Sequence, residues 1–99
     1  MTLVLSLKQG EDFWVRDHQV VISRIEHANR FWVRVAGNDK EIEVTDTQAR
    51  EIMPDVFVSA GNFFKYGMIR IAIQAPQEIE ILRGEKYRAK HGLPEADYA

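Results

Sequence analysis

Apolar and polar residues alternate with period two along most of this chain, the pattern of strands with one face buried and the other in solvent. Leu3, Leu5 and Leu7 share one face of a first strand over Thr2–Leu7, and Gly10-Glu11 reads as a turn. Phe13 and Val15 then point one way while Asp12, Trp14 and Arg16 point the other. Asp17-His18 breaks the run, and Gln19–Glu26 carries the β-branched residues Val20, Val21, Ile22 and Ile25, which suit a strand. Phe31, Val33 and Val35 alternate with Trp32, Arg34 and Ala36; Gly37-Asn38-Asp39 reads as a hairpin turn and Ile42 with Val44 as the return strand. Thr45 and Gln48 have capping-box spacing, Ala49, Ile52 and Met53 follow at helical intervals, and Pro54 stops the run, which predicts a short helix. Val56–Ser59 is a further strand and Ala60-Gly61-Asn62 a loop. Met68–Ile73 alternates, Pro76 punctuates, Glu78–Leu82 is again a strand, and Glu85–His91 is helical up to Gly92 and Pro94. About eight strands and two short helices make the class mainly β.

One internal echo stands out. Val33-Arg34-Val35-Ala36 and Ile69-Arg70-Ile71-Ala72 share the form apolar–Arg–apolar–Ala. Any amphipathic strand can take that form, and so can a duplicated one; both readings stay open at this point.

The chain has 99 residues, 45% of them hydrophobic, and no cysteine. That length suits one domain with a modest core. Without cysteine there is no disulfide framework, thiolate metal site or cysteine nucleophile. The apolar opening ends at Lys8, too soon for a signal peptide or a membrane span, so a soluble cytoplasmic protein is expected. His18, His27 and His91 lack metal-ligand spacing, and no nucleophile elbow or glycine-rich phosphate loop is present. Glu78 and Glu80 share a strand face, where solvation explains them. No enzyme, no metal and no cofactor are expected.

Charge is spread unevenly. The net charge of -2 argues against nucleic acid on average. Yet Asp39–Asp55 holds six acids (Asp39, Glu41, Glu43, Asp46, Glu51, Asp55) against Lys40 and Arg50, leaving the rest of the chain slightly basic. Arg83, Lys86, Arg88 and Lys90 cluster near the C-terminus beside a single acid, Glu85. Such a run suits a solvated helix face and the helix dipole as readily as a ligand.

The segment Ile69–Tyr87, with Arg70, Ala75-Pro76, the aliphatics Ile79 and Ile81, then Arg83, Glu85 and Tyr87, resembles the carbon storage regulator (CsrA/RsmA) family. That family carries a run of the type V-R-I-G-V-x-A-P-x-x-V-x-V-x-R-x-E-x-Y. Leu3–Glu11 resembles the family opening L-x-L-x-R-R-x-G-E, and Phe13, Val15, Asp17, Val20 and Ile22 continue in register. The resemblance covers roughly residues 3–27 and 67–90. It implies a CsrA-like β-sheet homodimer whose first and last strands interleave between subunits, with a short C-terminal helix. It also implies binding of GGA-containing single-stranded loops in messenger or small RNA. RNA loops are read through splayed bases, with cations holding phosphates. The positions matching the family's RNA surface are Leu5, Ser6 and Lys8 on the first strand and Ala75, Pro76, Gln77, Ile79, Ile81 and Arg83 on the last.

Two departures qualify the match. Leu7 and Lys8 stand where the family has an arginine pair, and lysine cannot reproduce the bidentate guanidinium fork. About 40 residues, 28–66, intervene where the family has a tight turn. The expected organisation is therefore one CsrA-like domain over 1–92, with an inserted small αβ lobe at about 28–66 and a flexible tail at 93–99. Phe57, Phe63, Phe64 and Tyr66 are expected in the core of that lobe. Its acidity favours a position away from Arg83, and also suggests another role: a protein-interaction or antagonist module acting through the lobe or through mixed dimers.

Overall fold

The alternating residues of the sequence face one shared interior. The computed structural model describes residues 2–93, apart from the side chains of residues 62–65. It contains β1 (Thr2–Lys8), β2 (Asp12–Val15), β3 (His18–His27), β4 (Arg30–Val35), β5 (Ile42–Thr45), β6 (Arg50–Met53), β7 (Val56–Lys65), β8 (Met68–Gln74), β9 (Ile81–Arg83) and α1 (Gly84–Lys90). The fold is mainly β: two antiparallel sheets, ordered β1-β8-β7-β6 and β5-β4-β3-β2-β9. Leu5 and Leu7, Phe13 and Val15, Val20 and Ile22, Phe31 and Val33, and Ile69, Ile71 and Ile73 all enter one buried cluster. Each such side chain contributes on the order of 1.5–3 kcal/mol when buried.

The connectivity has a two-fold logic. β2-β3-β4 is a meander with two-residue turns at Arg16-Asp17 and Ala28-Asn29, and β6-β7-β8 is another with turns at Pro54-Asp55 and Tyr66-Gly67. Each turn of the second lies 38 residues after its counterpart. The middle strands, β3 and β7, both run ten residues, and both show register shifts against the strand that follows. β1 leads the first meander and β5 the second, and each pairs with the last strand of the other half. Leu5 and Leu7 of β1 lie opposite Ile71 and Ile69, as Ile42 and Val44 of β5 lie opposite Val33 and Phe31. The two halves thus exchange their leading strands within one chain.

This topology replaces the expected lobe. Residues 28–66 supply β4 to β7, members of both sheets, and no inserted αβ unit stands apart. The Cα radius of gyration, 12.6 Å, matches the ~13 Å of a compact chain this long. The helix expected between the Thr45 cap and Pro54 gives way to β6 (Arg50–Met53): a run this short is marginal as a helix unaided, and the hairpin at Pro54-Asp55 zips its end onto β7. Thr45 does not cap; its hydroxyl pairs with that of Thr47 at 3.2 Å. The expected loop Ala60–Asn62 is the middle of β7, where the pairing with β8 shifts register. Gly61 is needed there, because a Cβ would sit 2.9 Å from the Cβ of Arg70. Phe57 and Tyr66 are exposed rather than core, at 38% and 80%, while Phe63 and Phe64 lie outside the described side chains.

β4 and β8 are topological counterparts, and hairpin register makes Val33 the counterpart of Ile71, so the echo as read is two residues out. At matched positions Arg34 corresponds to Ala72 and Arg70 to Trp32, so the shared form is the one any amphipathic strand can take. At the C-terminus, Glu78–Leu82 is shorter as a strand than expected: Ile79 N–H closes a turn on the Pro76 carbonyl at 3.1 Å, and β9 begins at Ile81. Of the expected tail, 93–99, Leu93 donates its N–H to the Arg88 carbonyl at 2.8 Å, and residues 94–99 lie outside the described residues. Among the described residues, no helix is long and apolar enough to cross a membrane.

Candidate nucleic-acid interface

β1 is an edge strand, bonded to β8 on one side. Lys8 N–H donates to the Glu11 carboxylate at 2.7 Å and Ser6 carbonyl accepts from the Arg83 guanidinium at 3.0 Å, so the main-chain groups of Ser6 and Lys8 point away from β8. Alternation in an antiparallel ladder turns those of Val4 outward as well. On β9, Arg16 N–H donates to Glu80 carbonyl, which by the same alternation leaves Ile81 and Arg83 main-chain groups facing away from β2. The two sheets therefore present two adjacent edges, and Arg83 bridges them. Its side chain shares the inner face with Ile81, opposite Phe13, and escapes the core at the sandwich rim.

The surface around Ser6 is cationic. Ser6 lies directly opposite Arg70 on β8, Lys8 follows on the same face, and both basic residues are exposed. Arg70 escaped notice as a site residue because only the β1–β8 register puts it beside Ser6. Val4, 51% exposed, adds an apolar contact on this face. The chain leaves β1 for β2 through Gly10, whose φ of +90° favours glycine.

Arg83 is held from behind by α1. Asp12, 3% exposed, accepts from Trp14 Nε1 (3.1 Å), Gln19 Nε2 (2.8 Å) and Arg88 Nη1 (2.9 Å). Tyr87 stacks on Trp14 with centroids 3.8 Å apart. Gly84 packs so closely that a Cβ would fall on the Asp12 carboxylate. The basic run is thus partly spoken for: Arg88 is tied to Asp12, and Lys90 to Glu80 at 2.8 Å. Arg83 and Lys86 are the members left facing solvent, Arg83 in part. A cleft of about 70 Å³ lies between Leu7, Arg83 and Gly84, with room for a few waters and no nucleobase.

Of the expected site residues, Ser6, Lys8 and Arg83 come together at this seam. Leu5, Ala75, Ile79 and Ile81 are at most 9% exposed, so their side chains serve the core. The Leu5 main chain faces β8 and the Ile79 N–H is spent on Pro76, whereas the Ile81 main chain faces outward on β9. Ala75 and Pro76 border a shallow cleft with Ala49, Asp55 and Phe57 at the far end of β8, and Gln77 follows them in the chain. Gln74 pairs with Thr2, four residues along β1 from Ser6, or about 14 Å. Leu7 is 2% exposed against Ile69, which gives a packing reason for leucine at that position. Among the described residues, no group of three His, Asp or Glu side chains could hold a metal ion. Comparison with protein-family models, curated proteins and solved structures finds nothing that matches this chain.

Proposed function

We propose that this chain is a CsrA-like, RNA-binding post-transcriptional regulator of the cytoplasm that takes GGA-type single-stranded loops of messenger or small RNA at the β1/β9 seam. In this reading the strand interleaving that the resemblance implies between two subunits is built between the two halves of one chain, which removes the need for a homodimer. The observation that carries it is the Arg83–Ser6 contact: the two strands that the resemblance assigns to RNA meet there, beside Lys8 and Arg70. Outward main-chain groups of Val4, Ser6 and Ile81 supply donors and acceptors for splayed bases, and the cations supply phosphate contacts. Titration of a GGA-hairpin RNA against wild type and Arg83→Ala over a salt series tests it, with melting temperatures confirming that the variant folds. Wild type is expected to bind with salt-dependent affinity and the variant about five- to 150-fold more weakly, from ~1–3 kcal/mol for a lost arginine contact. Equal affinity for both, or no binding by either, overturns the proposal.

The exposed Phe57 beside Asp55, at the acidic end of the second half, favours one other reading, a protein-interaction or antagonist module. Partners retained from cytoplasm after RNase treatment would support it; partners lost with the RNA support the first.

A further inference from the structure

Resting on the RNA-binding reading, we infer that the chain holds one loop site and not two: the place that its internal two-fold assigns to a second site is unmade.

The two-fold defines that place. Leu7 faces Ile69 and Val44 faces Phe31, the second residues of β8 and β4, so β5 is the counterpart of β1. Where β1 presents Ser6 and Lys8, β5 presents Glu43 and Thr45. Where Arg70 stands opposite Ser6, Trp32 stands opposite Glu43. Glu43 already accepts from Arg30 Nε at 2.7 Å, and Arg24 lies over the Trp32 ring at 4.0 Å. The surface that would meet phosphates thus carries a carboxylate in place of Ser6 and an indole in place of Arg70. Phosphate binding there is unfavourable on charge alone.

Arg83 has no counterpart either. After β8 the chain runs on to β9, which covers the edge of β2. After β4 it turns directly into β5, and among the described residues no strand lies on the outer edge of β6. That edge is built for solvent. β2 buries Asp12 and Phe13, whereas the residues that match them by strand pairing, Ala49 and Arg50, are exposed. β6 is short, charged, irregular in its pairing and ended by Pro54, the features that discourage strand addition. Neither this chain nor a second copy is equipped to finish the site.

One loop per chain makes this a blocking protein and not a bridging one: it can occupy a single loop but cannot clamp two loops of one message. Native mass spectrometry of the full chain with excess GGA hairpin is expected to give one RNA per chain. An RNA with two hairpins is expected to load two chains. Arg83→Ala should weaken every hairpin bound, giving one shifted binding curve, whereas a two-site chain would keep about half its capacity at the wild-type affinity. Two hairpins on one chain, or half the capacity surviving at wild-type affinity in Arg83→Ala, overturns the inference and leaves RNA binding standing. No hairpin bound by wild type overturns both.

Discussion

Replacing Asp12 with alanine removes one small side chain and strands a buried charge. The Asp12 and Arg88 side chains are only 3% and 8% exposed, 2.9 Å apart. In Asp12→Ala the guanidinium keeps its burial and loses the Asp12 carboxylate, and breaking a buried ion pair in this way costs about 3–5 kcal/mol. Trp14 and Gln19 also lose an acceptor, but both are half-exposed and can turn to water. Against a total stability of roughly 5–15 kcal/mol for a chain this size, that is a large fraction. With a urea slope of about 1.5 kcal/mol per molar, the unfolding midpoint should fall by roughly 2–3 M. Tryptophan fluorescence follows the transition directly, since Trp14 lies in the affected network. The decisive comparison is Asp12→Ala/Arg88→Met, which removes the buried charge as well. It should be more stable than Asp12→Ala alone, because an apolar pair avoids the desolvation that an orphaned ion suffers. A single variant costing under about 1 kcal/mol, or a double variant no more stable than the single, would refute the assignment of this ion pair as the lock that holds α1 behind Arg83.

Other substitutions probe other parts of the fold. Leu7→Arg, which restores the family-like residue, should destabilise the chain by several kcal/mol in urea unfolding and yield no gain in RNA affinity, because position 7 is buried against Ile69. Gly84→Ala drives a Cβ into the Asp12 carboxylate and should lower stability by on the order of 3 kcal/mol, measured by thermal melting. Arg50→Val/Glu51→Val removes the charges from the open edge of β6 and should produce concentration-dependent association in size-exclusion chromatography, where the wild type stays unchanged.

Much of the sheet structure was legible because alternation is a local signal. Leu3, Leu5 and Leu7, and Ile69, Ile71 and Ile73, mark their inner faces without knowledge of any partner. The β6 segment was not legible: Ala49, Ile52 and Met53 satisfy helical spacing, and only the hairpin with Val56–Val58 decides against it. The two-fold was not legible: the two apolar–Arg–apolar–Ala strands are counterparts in the fold, but their likeness sits two residues out of register, where alternation alone accounts for it. The halves differ at matched positions, as with Phe13 and Arg50, where one edge is covered by β9 and the other is not. At the site, Arg83 was readable from its motif, whereas its contact with Ser6, 77 residues away in sequence, and the nearness of Arg70 depend on two pairings across the fold.

The same asymmetry settles how an acidic chain can present a basic edge. The six acids of Asp39–Asp55 belong to β5, β6 and their connections, the opening of the second half. β5 and β9 are the two outer strands of one five-stranded sheet, four inter-strand steps apart, or about 19 Å. The Debye length is ~10 Å at 0.1 M salt, so Glu43, the acid on β5, barely acts on charges at the β9 edge under those conditions. Its repulsion grows as salt is removed, while the attraction of Lys8, Arg70 and Arg83 for phosphate strengthens over the same range at contact distance. Contact wins over a repulsion acting two Debye lengths away. The net charge of -2 averages two distant edges, and in the proposed reading the β1/β9 edge is the one that meets the RNA.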